Sequence, residues 1–449
     1  MFDEISKLIQ DNKLIDARKL LVKKNVVDIA QFFEDIFEKE DGDHLIVLFR
    51  ILPKDIAADV FSYMSSEGKS HIIQSVTDKE ITYIIDELYL DDIVDLIEEF
   101  PANIVKRLVQ NTNESKRKLI NQFLQYPDDS AGSIMTIEYL GLKKEMSVTE
   151  ALAHVRKYGV DKETINTCYV MASDRKLEGV ISIRKLILND DHVLVKDIME
   201  THLISARTLD DQETVADTFK KYDFLSMPVV DNENRLVGII TIDDIVDIIE
   251  EENTEDFELM AAMQPSKEEY MKSSAWQLAK NRIPWLLILM ISATFTGGII
   301  EHYEDAMQKF IILSTFVPML MDTGGNAGSQ SSTLVIRGLA LGEIQMKDFV
   351  KVLWKEFRVS LLVGLALVVA NFIRLYYFNG RELMLTITVC ISLYFTVIIA
   401  KVVGGILPII AKKLHLDPAI MASPLITTIV DALALMVYFG TATHLLGIA

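Results

Sequence analysis

Pro318-Met-Leu-Met-Asp322-Thr-Gly-Gly-Asn326-Ala-Gly-Ser-Gln330-Ser-Ser-Thr333 is a polar, glycine-dense run set inside an otherwise apolar stretch. Hydrocarbon cannot solvate such side chains, so in a bilayer the run must face protein or a water-filled path. Close helix packing through small residues is the plainer explanation, but packing alone does not call for Asp322, Asn326 and Gln330 together. The run is therefore expected to line a conduction route. Its Asp-Thr-Gly does not make an aspartic protease, which needs a second catalytic aspartate in a matching loop.

Around this run the chain reads as membrane protein, with spans expected near 283–300, 309–337, 357–378, 383–411 and 418–443. Each is long enough for a hydrocarbon core of roughly 30 Å. The 301–308 loop is acidic, whereas 337–358 holds Arg337, Lys347, Lys351, Lys355 and Arg358, and the 412–417 turn holds Lys412 and Lys413. The positive-inside rule makes both basic connections cytosolic, which puts the N-terminus inside and the C-terminus outside. The start of the chain, charged and amphipathic, does not look like a signal peptide. In the fifth span Asp431 stands alone among apolar residues. At ~1.5 Å per residue it lies roughly 20 Å above Pro418. A carboxylate at that depth is a functional candidate by default; the competing explanation is a protonated structural aspartate bonded to Thr427 or Thr428.

The cytosolic part is strongly acidic. Residues 276–449 hold 13 Lys+Arg against 10 Asp+Glu, and residues 1–275 hold 32 against 55, about −23. Such a surface repels nucleic acid and suits cations or basic proteins. Cys168 and Cys390, far apart and without metal-ligand spacing, argue against a disulfide scaffold and a zinc site. From 1 to 128 apolar residues recur at helical spacing, as in Ile81, Ile84, Ile85 and Leu88. Leu52-Pro53-Lys54-Asp55-Ile56 and Phe100-Pro101-Ala102-Asn103-Ile104 each set proline where a helix can begin. A solenoid-like stack of helix pairs is expected there.

Between 129 and 252 short β-branched strands alternate with helices, twice. Lys176-Leu-Glu-Gly-Val-Ile-Ser-Ile183 matches Arg235-Leu-Val-Gly-Ile-Ile-Thr-Ile242, and Gly132-Ser-Ile-Met135 matches Lys196-Asp-Ile-Met199. This repeat resembles a tandem pair of CBS domains, at 129–193 and 194–252, modules that often bind adenine nucleotides. By that resemblance Thr241 and Asp244 would hold a ribose and phosphate of ATP, bound and not hydrolysed; the first copy has Lys185 where the aspartate would stand. A polar connector follows at 253–278, and the membrane domain occupies 279–449. The fold class is thus a multidomain α-helical membrane protein with an α-solenoid-like N domain, an α/β CBS pair and five transmembrane helices.

The Pro318–Arg337 run and the Pro424–Asp431 segment, in this order of parts, resemble the MgtE family of magnesium transporters over essentially the whole chain. What the resemblance implies is a homodimer in the cell membrane whose pore is lined by the second and fifth spans. Asp431 would hold hydrated Mg²⁺, with Asp417 near the inner mouth and Asn326 and the Gly325 carbonyl beside the ion. It also implies cytosolic Mg²⁺ sites built from Asp59, Asp91, Asp95, Asp223, Asp244, Asp247, Glu252, Glu255 and Asp256, the connector at 253–278 acting as a plug helix. Five of these residues, Asp91, Asp95, Asp244, Asp247 and Glu255, belong to two carboxylate stripes visible in the sequence, Asp91, Asp92, Asp95, Glu98, Glu99 and Asp244, Asp247, Glu251, Glu255, Glu258. Acid runs of this kind are ordinarily solvated surface.

Two other functions were weighed. A membrane-tethered nucleotide sensor leaves the polar second span unexplained, and an anion channel conflicts with Asp322 and Asp431. There is no Walker Gly-Lys-Ser/Thr run and no catalytic constellation, so an enzyme is not expected. Transport would be driven by the membrane potential, about 2.3 kcal/mol per charge per 100 mV. Mn²⁺, Co²⁺ and Ni²⁺ remain open as further cargo.

Overall fold

The computed structural model describes residues 5–447 apart from 6, 9–10, 12, 40–41, 267–269 and 272. The chain forms two compact units, 1–249 and 250–449.

The first unit opens with short helices: α1 (Leu14–Leu21), α2 (Val26–Phe37), α3 (Gly42–Ile51), α4 (Lys54–Ser62), α5 (Ser66–Ser75), α6 (Asp78–Glu87), α7 (Leu90–Glu99), α8 (Ala102–Asn111) and α9 (Glu114–Phe123). Their ends follow from capping chemistry. The Thr77 hydroxyl and the Glu80 carboxylate cap each other's backbone N–H at the start of α6. Pro53 and Pro101 stand at the N-cap, one position before the first helical residue. Ile81, Ile84, Ile85, Leu88, Ile93 and Val94 are fully buried in the shared core.

The repeat that follows comprises β1 (Gly141–Leu142), α10 (Val148–Tyr158), β2 (Thr167–Met171), β3 (Leu177–Ser182), α11 (Ile183–Ile187) and α12 (Val195–Ile198). Its second copy comprises β4 (Ala206–Arg207), α13 (Gln212–Tyr222), β5 (Ser226–Val230), β6 (Leu236–Thr241) and α14 (Ile242–Met260). Each copy folds into a three-stranded sheet, β1-β2-β3 and β4-β5-β6, with one parallel and one antiparallel pairing and a register shift at the same place. The copies exchange their opening segments. Thr136 bridges Ile239 of the second sheet, and Glu200 bridges Val180 of the first. The boundary expected at 193/194 therefore divides the chain but not the modules. The exchange explains the glycine repeated in both strands: a Cβ on Gly179 would lie 2.5 Å from Met199 Sδ, and one on Gly238 would lie 2.7 Å from the Thr136 carbonyl.

The connector expected as one helix over 253–278 is not one. Its first part is the end of α14, which runs unbroken from Ile242 to Met260. The chain leaves that helix through Ala262 at φ 54, and residues 267–269 and 272 lie outside the described residues.

The second unit contains α15 (Ala275–His302), α16 (Glu304–Lys309), α17 (Val317–Ala340), α18 (Phe349–Ile373), α19 (Leu383–Lys413) and α20 (Ser423–Leu446). Among the described residues, four segments are long and apolar enough to cross a membrane: Ala275–His302, Met346–Phe378, Leu383–Lys413 and Pro418–Leu446. The fifth long helix, α17, carries the polar run. α17 packs against both α19 and α20, and α18 against α19. Outward-facing Leu286, Ile291, Phe295, Leu362 and Leu365 give α15 and α18 an apolar surface suited to lipid.

Candidate ion path and carboxylate clusters

The polar run divides its residues by face. Gly324, Gly325 and Gly328 are buried, whereas Asp322, Asn326 and Gln330, four residues apart, are exposed along one stripe. The glycines exist for packing. A Cβ on Gly324 would lie 3.0 Å from Val430 Cγ1 of α20, one on Gly325 3.0 Å from Thr427 Cγ2, and one on Gly328 2.8 Å from Ile426 Cγ2. Packing accounts for the glycines of the motif and leaves Asp322, Asn326 and Gln330 on the face it does not use.

Asp431 stands on α20 beside Val430, half-buried, with Asp322 near enough for its charge to act on it. The structure disposes of the bonding expected for a purely structural aspartate. The hydroxyls of Thr427 and Thr428 both donate to the Pro424 carbonyl, at 3.0 and 2.9 Å. Asn326 Nδ2 donates to Asp322 Oδ1 at 3.2 Å, which leaves the Asn326 oxygen to accept from water. Gly325 lies inside an unbroken helix, so its carbonyl accepts within the helical ladder rather than standing apart as a ring atom. Asp417 caps the 3₁₀ turn Pro418–Met421, accepting the Ala419 N–H at 2.7 Å.

In the first unit, carboxylates of the helical part and of the repeat crowd together. Asp91 is held well above the usual carboxylate range by burial and by Asp92, Asp244, Glu163 and Glu138. Burial, Asp244, Asp243, Asp92 and Glu138 push Glu163 up to about 8. Asp244, buried next to Asp243, rises to about 6, although Thr241 Oγ1 donates to its Oδ2 at 2.7 Å. Asp91 Oδ1 and Glu163 Oε2 are buried with no hydrogen-bond partner. Positive charge is nearby but does not close the cluster: Lys69 and Lys116 act on Asp92, and Lys116 Nζ is held at 2.8 Å by the Leu88 carbonyl. Tyr89, its hydroxyl pushed up to about 12 by burial and by Glu163, Glu138, Asp59 and Asp91, places Asp59 beside the same group. Asp59 itself is raised by partial burial, Asp55 and Glu87. Asp95 keeps solvent-exposed surface, yet enough protein surrounds its carboxyl that desolvation, with Asp92, Glu99 and Glu98, pushes it up to about 7.

Of the other expected sensing residues, Asp256 rises to about 6 through burial, Asp417 and Glu252, a second acidic meeting point within the second unit. Asp247 and Glu255 are exposed on α14, and Asp223 ends α13 at φ 53. Sequence reasoning missed Glu138 and Glu163, which lie outside any periodic stripe. It also missed Lys401, whose signal was plain, a cation in the apolar middle of α19, well before Lys412 and Lys413 at its end. Among the described residues, no three His, Cys, Asp or Glu side chains converge to direct metal-ligand geometry.

Residues 317–441 match the divalent cation transporter profile MgtE, 24–129 match the MgtE intracellular N domain, and 195–251 match a CBS domain. The magnesium transporter MgtE of Bacillus subtilis is 36% identical over 97% of this chain and 95% of its own length. That of Thermus thermophilus is 34% identical over 98% of both. A solved cytosolic domain of the Mg²⁺ channel MgtE in complex with ATP aligns with TM-score 0.51 and 33% identity, over 55% of this chain and all of that one. The soluble part of a magnesium transporter aligns with TM-score 0.52 and 29% identity, over 56% and 97%. Homology over nearly full length, in a chain with a helical N domain, a CBS pair and apolar spanning helices, leaves no room for an enzyme: the protein belongs to the MgtE family of magnesium transporters.

Proposed function

We propose that the chain is a Mg²⁺-selective channel that admits magnesium down its electrochemical gradient and is closed by cytosolic Mg²⁺. The observation that carries the conduction path is the pairing of half-buried Asp431 with the exposed Asp322–Asn326–Gln330 stripe of α17. Mg²⁺ dehydrates reluctantly, so oxygens that accept from its water shell recognise it better than a cage of direct ligands. Asp431 supplies the counter-charge and Asn326 a neutral oxygen, with Asp417 at the inner end. Because lipid cannot cover that stripe, a second copy of the chain is the natural opposite wall, and the assembly is a homodimer. The basic connections put the first unit in the cytosol and the C-terminus outside.

Closure rests on the orphaned oxygens of Asp91 and Glu163. Mg²⁺ held there, reached by Asp59, Asp95 and Asp244 and by Asp92, Glu138 and Glu163, would relieve the repulsion and favour one arrangement of the N domain on the CBS pair. α14 continues out of that cluster and carries Asp247, Glu252, Glu255 and Asp256, so its position is what Mg²⁺ would bias; Asp223 is kept as a further ligand. ATP, bound by the related cytosolic domain, is proposed to sit at Thr241 and Asp244 as an unhydrolysed regulator. Proteoliposome flux of Mg²⁺ with Mn²⁺, Co²⁺, Ni²⁺ and Ca²⁺ as competitors tests the reading. Absence of Mg²⁺ movement through folded protein overturns it.

A further inference from the structure

The fourth spanning helix carries a charge to which the proposed ion path assigns no role. Lys401 lies in the apolar α19 and is 4% exposed, too buried to reach water at either membrane surface. An unpaired charge at such depth is costly, so its partners indicate what it is for. Lys401 Nζ makes two long hydrogen bonds to α17, to the Ala327 carbonyl at 3.5 Å and to Gln330 Oε1 at 3.4 Å. Glu356 on α18 is near enough for its charge to act on Lys401, without a direct ion pair between them. Glu356 also grips α17, its Oε2 accepting from Ser331 Oγ at 2.6 Å. Small residues make both grips possible. A Cβ on Gly405 would lie 2.9 Å from Glu356 Cγ, and one on Gly404 would lie 2.2 Å from the Gly328 carbonyl.

We infer that Lys401 and Glu356, each bonded to α17, act together as positioning residues that fix this ion-path helix in rotation and direct the Gln330 carboxamide. The inference rests on α17 being the wall of the path. Between Gly324 and Gly328 that helix has few side chains with which to lock its own orientation. The ammonium and the carboxylate hold it instead, on consecutive turns, through Ala327, Gln330 and Ser331. Opposite charges inside a helix bundle are not needed for stability, since apolar residues of similar volume commonly do as well; what they supply is a defined geometry. The ammonium also claims the Gln330 oxygen, so the carboxamide offers its N–H groups to its other neighbours. Those groups cannot accept from the water shell of a cation. The oxygens facing the ion then end at Asn326, which narrows the binding zone to the level of Asp322 and Asp431.

The test removes the pair together, so that neither charge is stranded. Lys401→Met/Glu356→Leu, with Lys401→Gln/Glu356→Gln as the polar equivalent where the apolar pair does not fold, is reconstituted and compared with wild type. The expected result is a melting temperature close to wild type, Mg²⁺ flux lower by about tenfold, the loss of one charge-assisted hydrogen bond, and a reduced Mg²⁺/Ca²⁺ flux ratio. A purely structural role would change melting and flux together and leave that ratio alone. Wild-type flux and ratio in a folded double variant overturn the proposal. Asp431→Asn separates the two layers: if it conducts normally, the path itself is wrong, whereas if it blocks while the double variant behaves as wild type, only the positioning pair falls.

Discussion

The two buried charge clusters of this molecule are built on opposite plans. Around Asp91 the carboxylates outnumber their cations, and two oxygens are left without partners. Around Lys401 the cation bonds a carboxamide and a carbonyl, with one carboxylate near enough for its charge to act. A cluster satisfied by its own side chains has one arrangement and holds it. A cluster short of positive charge is stable only when a mobile cation completes it, so its arrangement depends on ion concentration. The lesson is that the unpaired cluster is where a sensor belongs and the paired one where a fixed wall belongs.

Changing Asp431, the carboxylate proposed to face the ion, should break the comparison most severely. Asp431→Ala and Asp431→Asn are expected to lower Mg²⁺ flux by about a hundredfold, since the ion loses counter-charge in a low-dielectric site. Expression and oligomeric state should stay as in wild type. Near-normal flux in proteoliposomes would return Asp431 to a structural role.

Neutralising the unpaired cluster should have a smaller and opposite effect. Asp91→Asn/Glu163→Gln/Asp244→Asn removes the repulsion that Mg²⁺ would relieve, so conduction persists while inhibition by internal Mg²⁺ weakens by about tenfold in concentration. Patch recording with stepped internal Mg²⁺ reads this directly. A variant that closes at the wild-type concentration would mean that the cluster is not the sensor.

The same carboxyls fix a pH dependence. Asp91 and Glu163 bind protons more tightly folded than unfolded, Glu163 up to about 8. Across roughly pH 4 to 8 the folded state therefore holds protons that the unfolded chain has released, and stability falls as pH rises through that window. Lys69 and Lys116 face the cluster near Asp92 and oppose its rise there, whereas Asp91 and Glu163 are surrounded by other carboxylates. The full-length protein without divalent ions should melt about 5 °C lower at pH 8 than at pH 6, and saturating Mg²⁺ should flatten the difference. A pH-independent melting temperature would show that the carboxylates do not interact.

Much of this was legible in the sequence, for identifiable reasons. Helical periodicity around Ile81–Leu88 gave the N-domain core, and the internal repeat gave the two sheets, because both are local patterns. Asp431 and the Asp322–Gln330 run stood out because lipid makes polar residues expensive. Glu138 and Glu163 did not, since a carboxylate in a loop becomes significant only when folding brings it beside Asp91. The exchange of opening segments was equally invisible: matching motifs in both copies give no hint which sheet each joins. The break after Met260 was missed because a polar run that suits a helix does not say where that helix stops.

The smallest effect comes from that exchange and tests whether the two sheets interlock as described. Gly238 carries no unusual φ; its constraint is space alone, with Thr136 O at 2.7 Å and Met135 Sδ at 2.8 Å from where a Cβ would sit. The carbonyl cannot withdraw without loosening a two-way pairing, since Thr136 N–H donates to the Ile239 carbonyl and Ile239 N–H to the Thr136 carbonyl, each at 2.8 Å. Gly238→Ala should therefore cost about 1–3 kcal/mol as overpacking. At about 2–4 °C per kcal/mol for a unit of this size, that corresponds to a fall of roughly 2–12 °C in its melting. Gly179→Ala meets the Met199 side chain at 2.5 Å rather than a carbonyl as its nearest neighbour, and a flexible thioether can turn aside, so it should cost less. Intact protein carrying either substitution, followed by limited proteolysis and thermal melting, gives the comparison. Equal effects, or a larger one at Gly179, would mean that the opening segments do not hold the sheets in the way the pairing at Thr136 and Ile239 implies.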